Sequence, residues 1–382
     1  MKQSKKILIA NRGVIAIRAL RAARELGYSV ASVYSTVDRD QKHLKLSDEA
    51  ICIGPPETKD SYLNEAAIIS AAELSGADAI YPGFGFLAEN ASFAEKCRES
   101  GFKFIGPDPE VIAIMGDKIK AKELAKSLNI PVVPGYEGEI STENEAIKIV
   151  EEIGYPVIIK ASAGGGGRGM RVVNSSDELW QSIQSAQNEA ELAFGDGKIF
   201  IEKYLKKPRH IEVQIFGNGK GEAVHLFTRD CSLQRKYQKI VEEAPALNID
   251  NQKLEEIQNL SVEACKKLNY EGAGTIEFLY ENNDFYFIEM NTRIQVEHTV
   301  TEMITGVDLV QAQLLLSLEN KYDFKQKDLK VNGHAMQCRI NAEDPETFVP
   351  SPGRIERVHR PGGYHVRFES QIYSGYQVPA NY

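Results

Sequence analysis

A glycine-rich segment at residues 164–169 gives a strong local indication of chemistry. It reads Gly164-Gly165-Gly166-Gly167-Arg168-Gly169 and lies between two runs rich in β-branched residues, with Lys160 just upstream. Glycines let backbone N–H groups approach phosphate oxygens that a Cβ would obstruct. The segment satisfies G-x-G-x-x-G, but a strand-like stretch at 170–173 follows where a dinucleotide fold needs a helix, and no Walker Lys-Ser/Thr is present. We interpret it as a phosphate-binding flap rather than a linker.

Two glutamates in strand-like contexts have the chemistry to bind a divalent cation. Glu277 and Glu289 are each flanked by apolar residues, and Asn291 follows the second. On adjacent strands and facing one way, they would offer the oxygen ligands that Mg²⁺ prefers. A single strand glutamate is more often a solvated surface residue. The pair, followed by the pattern Asn-x-Arg-x-x-x-Glu-His, favours a metal site.

The overall composition excludes several classes of protein. Of 382 residues, 42% are hydrophobic and 26% charged, which is typical of globular proteins with two or three domains at this length. The net charge of −9 disfavours general nucleic-acid binding. No apolar run approaches the roughly 18 residues of a membrane span, no signal-peptide pattern opens the chain, and the scattered cysteines match neither a disulfide framework nor a zinc site. We predict a cytoplasmic, reduced protein without nucleic-acid or membrane partners.

The first element pattern predicts an α/β domain. An apolar strand at 7–10 leads into the turn Asn11-Arg12-Gly13, a helix over 14–26 with a small apolar face, and a second strand over 28–34. Strand–turn–helix–strand order is typical of doubly wound parallel sheets. We therefore expect a Rossmann-like domain over residues 1–116.

Two further blocks complete the predicted organisation. A lysine-rich helical linker over 117–131 precedes a lid domain at 132–204, which carries the flap. Beyond residue 204, strand patterns are separated by the hairpin signals Gly217-Asn218-Gly219 and Asn282-Asn283-Asp284. These patterns predict an antiparallel-sheet domain over 205–382.

The segment Asn291-Thr292-Arg293-Ile294-Gln295-Val296-Glu297-His298 resembles the signature of the biotin carboxylases, members of the ATP-grasp superfamily. Essentially all 382 residues share the resemblance. The other matching segments are Asn11-Arg12-Gly13, the flap, Lys203-Tyr204-Leu205, Pro208–Glu212, Arg229–Ser232, Gln234-Arg235, Gln238-Lys239, Val241–Ala246 and Cys338–Glu343. The resemblance implies an ATP-grasp fold with an N-terminal Rossmann-like domain, a mobile glycine-flap lid and a C-terminal antiparallel-sheet domain. It also implies ATP- and bicarbonate-dependent carboxylation of biotin, the first half-reaction of acetyl-CoA (acyl-CoA) carboxylase in fatty acid biosynthesis.

The resemblance further implies a role for each matching residue. ATP would be bound by Lys118, Lys160, Gly166, Gly167, Glu202, Lys203, Tyr204, Leu205, His210, Gln234, Tyr237, Glu277 and Glu289. Mg²⁺ or Mn²⁺ would be bound by Glu277, Glu289 and Asn291. Bicarbonate would contact Lys239, Arg293, Gln295, Val296 and Glu297, with Glu297 as the base and Arg339 stabilising the biotin enolate. The implied catalytic residues are Arg293, Glu297, Lys239 and Arg339. The implied partners are a biotin carboxyl carrier protein, carboxyltransferase subunits and a second copy of the chain.

Three features depart from the family pattern. Tyr237 stands where the family places His, Val14 stands where it places Glu, and family members continue a few dozen residues beyond Tyr382. The resemblance thus implies a C-terminal domain that is incomplete at its end. One alternative is a non-catalytic relative that binds nucleotide or partner subunits. Another is an ATP-grasp ligase that joins a carboxylate to an amine, against which the segment 293–297 and Arg339 argue.

Overall fold

The computed structural model of the protein describes residues 4–136, 138, 140–161, 170–194 and 197–382. The chain divides into two compact units, which are described separately. The first comprises residues 1–130, 210–278 and 289–382, and the second comprises residues 131–209 and 279–288. The predicted domain boundaries at 116, 131 and 204 stay predictions. No helix of the described residues is long and apolar enough to cross a membrane.

The first unit opens with a five-stranded parallel sheet. Its order β3-β2-β1-β4-β5 confirms the doubly wound prediction. The strands are β1 Lys6–Ile9, β2 Ser29–Ser35, β3 Glu49–Gly54, β4 Ala79–Tyr81 and β5 Lys103–Phe104. The helices are α1 Gly13–Glu25, α2 Lys42–Leu46, α3 Glu65–Ser75, α4 Ala91–Glu99, α5 Pro109–Gly116 and α6 Lys118–Ser127.

The turn into α1 shows why a glycine follows Arg12. Gly13 has a φ of +70°, a conformation that L side chains rarely adopt, and its N–H donates to Gln41 Oε1 at 2.9 Å. The apolar face of α1, with Ile15 and Ala19 among its members, is buried against the sheet as the spacing predicted.

The second unit is built on a four-stranded antiparallel sheet with the order β6-β9-β7-β8. Its elements are β6 Gly135–Tyr136, α7 Glu143–Ile153, β7 Val157–Ala161, β8 Arg171–Val173, α8 Leu179–Phe194 and β9 Ile199–Lys203. The apolar faces of α7 and α8 pack on this sheet through residues such as Val150 and Ile183. The strand predicted after the flap is confirmed by β8, while residues 162–169 lie outside the described residues.

A six-stranded sheet with the order β14-β13-β10-β11-β12-β15 positions most of the candidate site. Its strands are β10 Arg209–Asn218, β11 Ala223–Arg235, β12 Gln238–Ala244, β13 Glu271–Glu281, β14 Asp284–Asn291 and β15 Ala335–Cys338. The associated helices are α9 Asn251–Lys267, α10 His298–Thr305 and α11 Leu309–Glu319, and a short pair β16 Gly353–Arg354 and β17 Gln377–Val378 follows.

Tight turns join consecutive strands of this sheet. Asn282 and Asn283, with φ of 54° and 68°, connect β13 to β14, as the Asn-Asn signal predicted. Lys236 and Tyr237 connect β11 to β12 with φ of 50° and 64°, although neither residue is a typical turn former. Both turns have the two positive φ values that match the twist of a hairpin.

Candidate active site

The ammonium group of Lys239 is the centre of a charged cluster in the first unit. Lys239 lies on β12, and its Nζ donates to Glu277 Oε1 at 2.8 Å, to Glu297 Oε1 at 2.9 Å and to Glu212. Burial disfavours the charge on this amine, but the three carboxylates outweigh burial and raise the pKa of Lys239. Lys239 is thus held as a cation.

Glu297 connects Lys239 to Arg339. It is the residue before α10, and its second oxygen, Oε2, accepts from Arg339 Nη2 at 3.0 Å. Arg339 directly follows β15, and its Nε donates to Glu242 Oε1 on β12 at 2.6 Å. Burial and the nearby charge of Glu297 raise the pKa of Glu242, although Arg339 opposes this shift. The result is an alternating row of charges: Lys239, Glu297, Arg339, Glu242.

Arg293 is bonded to a different carboxylate. Its Nε donates to Glu89 Oε2 at 2.7 Å and its Nη2 donates to Asn291 Oδ1 at 2.7 Å. Glu89 also accepts from the N–H of Thr292 at 3.1 Å, so it anchors the segment that carries Arg293. Arg293 therefore forms a structural ion pair with Glu89, which is the common role of an isolated arginine. Its Nε is used in that pair.

The predicted metal ligands differ in their surroundings. Glu277 Oε1 accepts from Asn291 Nδ2 at 2.8 Å as well as from Lys239. Burial favours its neutral form, but His210 and Lys239 outweigh burial and lower the pKa of Glu277 to about 2. Glu289 is exposed at the surface, but desolvation by the surrounding protein atoms and the charge of Glu277 together raise its pKa.

Glu289 has the surroundings of a cation ligand. Among the described residues its carboxylate has no hydrogen bond or ion pair. Desolvation and, after it, repulsion from Glu277 raise its pKa, and a divalent cation would offset that repulsion. Lys118, at the start of α6, is close enough to oppose that shift. The oxygen donors of Glu277, Glu289 and Asn291 are of the hard type that Mg²⁺ prefers, so these residues fit the ion.

His210 lies beside two of the same carboxylates. Its Nε2 is 2.8 Å from Glu277 Oε2 and 3.3 Å from Glu212 Oε1. Burial disfavours the charged ring, but these two carboxylates outweigh burial and raise the pKa of His210 to about 9. His210, Glu212 and Glu277 have potential ligand atoms within 4.8 Å of one another. Lys239 also bonds both carboxylates, so the three side chains form an ion-pair network with it.

Four other predicted residues of the first unit take different positions. Gln295 is buried, and its Nε2 donates to Glu277 Oε1 at 2.7 Å. Val296 is partly buried beside it. Gln234 Nε2 donates to the carbonyl oxygen of Cys231 at 2.9 Å. Tyr237 is 81% exposed in its turn, outside the charged cluster.

The predicted ATP ligands of the second unit form their own group. Lys160 Nζ on β7 donates to Glu202 Oε2 on β9 at 2.5 Å. Lys203 Nζ donates to the carbonyl oxygens of Gly154 and Tyr155 at 2.8 and 2.9 Å, where α7 ends. Tyr204 and Leu205 follow β9 and are partly buried, while Gly166 and Gly167 lie outside the described residues.

The sequence reasoning assigned no role to four charged residues that the structure brings into contact with the site. The sequence offered only a weak indication of their importance. Each is a charged residue beside apolar residues or within a segment that matches the family. They are Glu89, Glu212, Arg229 and Glu242.

Comparisons with known proteins show which family the chain resembles. Family models match residues 3–112 (Biotin carboxylase, N-terminal domain), 117–324 (Carbamoyl-phosphate synthase L chain, ATP binding domain) and 337–382 (Biotin carboxylase C-terminal domain). A biotin carboxylase of Haemophilus influenzae is 57% identical over 99% of this chain and 84% of its own length. A pyruvate carboxylase subunit of Methanothermobacter thermautotrophicus is 50% identical over 99% of this chain and 77% of its own length.

A solved structure points the same way. The Campylobacter jejuni biotin carboxylase–β,γ-ATP complex has a TM-score of 0.89 at 50% identity, over 98% of this chain and 84% of that one. The fold and these relatives define an ATP-grasp ligase. The chain belongs to the biotin carboxylase family, and the resemblance drawn from its sequence is confirmed.

Proposed function

We propose that this enzyme carboxylates biotin on a biotin carboxyl carrier protein through carboxyphosphate, as the first half-reaction of an acetyl-CoA or other acyl-CoA carboxylase. The observation that carries the proposal is Glu297, whose two oxygens are bonded to Lys239 and Arg339 at 2.9 and 3.0 Å. A base between two cations suits a reaction in which an anion is deprotonated and then transferred. ATP-dependent biotin carboxylation itself is supported by the family membership.

Each residue of the cluster has a place in this chemistry. Glu297 accepts the proton of bicarbonate, while Lys239 and Arg293, with Gln295 and Val296, hold the anion for attack on the γ-phosphate of ATP. Carboxyphosphate then breaks down to CO₂ and phosphate, and the phosphate takes the ureido N–H proton of biotin. Arg339 stabilises the resulting enolate through its planar guanidinium while the ureido nitrogen attacks CO₂. Mg²⁺, held by Glu277, Glu289 and Asn291, would neutralise phosphate charge.

The remaining predicted residues are proposed to bind the nucleotide. A Campylobacter jejuni relative is described as a complex with a β,γ-ATP ligand, and a Hydrogenobacter thermophilus relative as a complex with MgADP, ADP and bicarbonate. These two support ATP, Mg²⁺ and bicarbonate as ligands here. The proposed ATP ligands are Lys118, Lys160, Gly166, Gly167, Glu202, Lys203, Tyr204, Leu205, His210, Gln234, Tyr237, Glu277 and Glu289.

A second acceptor class has direct support. Relatives include biotin carboxylase domains of 2-oxoglutarate carboxylase and one subunit of a pyruvate carboxylase. These names support a 2-oxo acid enzyme as a second candidate for the carboxyltransferase partner, beside an acyl-CoA enzyme. We propose the acyl-CoA class because the resemblance of the sequence to biotin carboxylases implies it.

Homodimerisation is also proposed, with Arg21, Glu25 and Arg367 near the interface. The Hydrogenobacter thermophilus relative is described as a dimer. Arg21 and Glu25 do not form the salt bridge that their i,i+4 spacing allows, because Arg21 Nη1 donates to Glu369 at 3.2 Å and Glu25 accepts from Gln311 at 2.6 Å. Sedimentation at micromolar concentration tests the dimer, and a monomer would contradict it. The cytoplasmic location stays a prediction.

The function is tested by measuring ATP hydrolysis with and without bicarbonate and free biotin. Bicarbonate-dependent phosphate release, together with fixation of ¹⁴C-bicarbonate on biotin, is the expected result. Phosphate release that ignores bicarbonate would favour another ATP-grasp reaction, and nucleotide binding without turnover would favour a non-catalytic relative. Adding purified carrier and carboxyltransferase of each class, with acyl-CoA or 2-oxo acid acceptor, then identifies the acceptor.

A further inference from the structure

Arg229, on β11, is a fully buried cation behind the charged cluster. Its side chain has no exposed surface, and its pKa is raised because Glu212 and Glu297 outweigh the effect of burial. All five N–H donors are used: Nε to Glu212 Oε2 at 2.9 Å, Nη1 to Gln214 Oε1 at 2.5 Å and Thr301 Oγ1 at 3.0 Å, and Nη2 to Thr275 Oγ1 at 3.0 Å and Gln295 Oε1 at 2.6 Å.

These acceptors come from four parts of the first unit. They belong to β10, β13, the segment before α10, and α10 itself. A planar guanidinium presents five donors in a fixed fork, whereas a lysine presents three from one nitrogen. Only an arginine can therefore satisfy this set of acceptors from a single side chain.

Two of the acceptors lead directly to the reacting groups. Glu212 bonds Arg229 through Oε2 and Lys239 through Oε1. Gln295 accepts from Arg229 through Oε1 and donates to Glu277 through Nε2 at 2.7 Å. Arg229 is thus linked to Lys239 through Glu212 and to Glu277 through Gln295, without a direct hydrogen bond to either.

We propose that Arg229 is a positioning residue for the bicarbonate step, holding Glu212 and Gln295 so that Lys239 and Glu277 are fixed in place. This inference rests on the proposed function, since it concerns the residues assigned there to bicarbonate and the metal. The buried Arg229–Glu212 pair also balances one of the three carboxylates around Lys239, so that the ammonium is not shared among three uncompensated anions.

The first test is kinetic. Arg229→Lys keeps the charge but cannot reach all five acceptors, so the kcat for bicarbonate-dependent ATP hydrolysis is expected to fall about 10–100-fold. The KM for ATP is expected to change less than kcat, because most of the proposed ATP ligands are bonded to neither Glu212 nor Gln295. Arg12→Lys is the matched control, because Arg12 makes a two-pronged pair with Asp38 at 2.7 and 2.8 Å away from the cluster. Its kcat should stay within about twofold of the wild type.

The second test needs no turnover. Crystal structures of the wild type and of Arg229→Lys report the positions of Glu212 and Gln295 directly, since both side chains accept from Arg229. In Arg229→Lys both side chains are expected to be displaced, which weakens the contacts of Lys239 with Glu212 and of Gln295 with Glu277. Arg12→Lys should leave them in place. If Arg229→Lys does not fold, Thr275→Val, which removes one acceptor of Nη2, should give a smaller displacement.

Each outcome decides the inference. Unmoved Glu212 and Gln295 side chains in every folded variant overturn it, and so does their displacement with a wild-type kcat. If the wild type shows no bicarbonate-dependent hydrolysis, the proposed function fails, while the crystal structures still show whether Arg229 holds Glu212.

Discussion

Arg339 Nη2 lies 3.0 Å from Glu297 Oε2, so the arginine proposed for the biotin step is bonded to the base proposed for the bicarbonate step. The other Arg339 contact, through Nε to Glu242 at 2.6 Å, aims the guanidinium along the row of charges. The groups proposed for the bicarbonate step and for the biotin step therefore meet at the carboxylate of Glu297.

Arg339→Ala is expected to separate the two activities. Biotin carboxylation should fall about 10²–10³-fold, because a preorganised cation is lost where enolate charge develops. Slow biotin-independent ATP hydrolysis should largely survive, because Lys239 and Glu297 keep their 2.9 Å contact. Phosphate release and ¹⁴C-bicarbonate fixation, measured in parallel, give the two rates. Arg235→Ala, which removes an arginine paired with Glu343 at 2.6 Å, is the control and should affect neither. Equal losses in both activities for Arg339→Ala would refute its assignment to biotin.

Glu297→Gln is expected to depress both activities together. Without a base, bicarbonate stays a weak nucleophile, and the loss should be about 10²–10⁴-fold. Arg293→Ala should do the same, since it holds the same anion. Glu343→Gln serves as the control, because that carboxylate pairs only with Arg235 among the described residues. Full retention of bicarbonate-dependent hydrolysis in Glu297→Gln would show that another group is the base.

The two metal-site glutamates should respond differently to amide substitution. Glu289→Gln is expected to raise the Mg²⁺ concentration needed for half-maximal activity while leaving the melting temperature nearly unchanged, since no described residue bonds that carboxylate. Glu277→Gln should also destabilise the fold, by about 3–5 kcal/mol, because it leaves Lys239 and His210 short of a buried partner. Asp284→Asn, at an exposed position of the same strand as Glu289, is the control. Wild-type Mg²⁺ dependence in both glutamate variants would place the metal elsewhere.

His210 should make the stability of the fold depend on pH in the alkaline range. Its pKa rises from 6.5 to about 9 on folding, so its stabilisation is complete below pH 6.5 and is lost as the pH rises through 9. The loss amounts to at most about 3 kcal/mol. Urea unfolding of the wild type and of His210→Gln, compared between pH 6 and 10, measures it. The exposed His334→Gln should follow the wild type. Parallel curves for wild type and His210→Gln would rule out this contribution.

The sequence predicted the fold well where periodicity and turn chemistry were local. The spacing of Ile15 and Ala19 predicted a buried helical face, and Asn282-Asn283 predicted a hairpin turn. Both features are present in the structure. The charged cluster was harder, because its pairs join distant positions. Glu89 and Arg293 are 204 residues apart, and no local pattern in the loop that carries Glu89 points to an arginine partner. For Arg229 the sequence indicated only that it belongs to a family motif. Its buried position could not be predicted, because its five acceptors come from distant parts of the chain.

Arg339 follows β15, and β15 is an outer strand of the six-stranded sheet, paired with β12 from Ala335 to Cys338. Outer strands open at lower free energy than inner ones. Detachment of β15 would withdraw Arg339, whereas Lys239 would stay on β12, which is also paired with β11. With the roles proposed for Lys239 and Arg339, opening of β15 alone would leave bicarbonate-dependent ATP consumption in place while the transfer of carboxyl groups to biotin stopped.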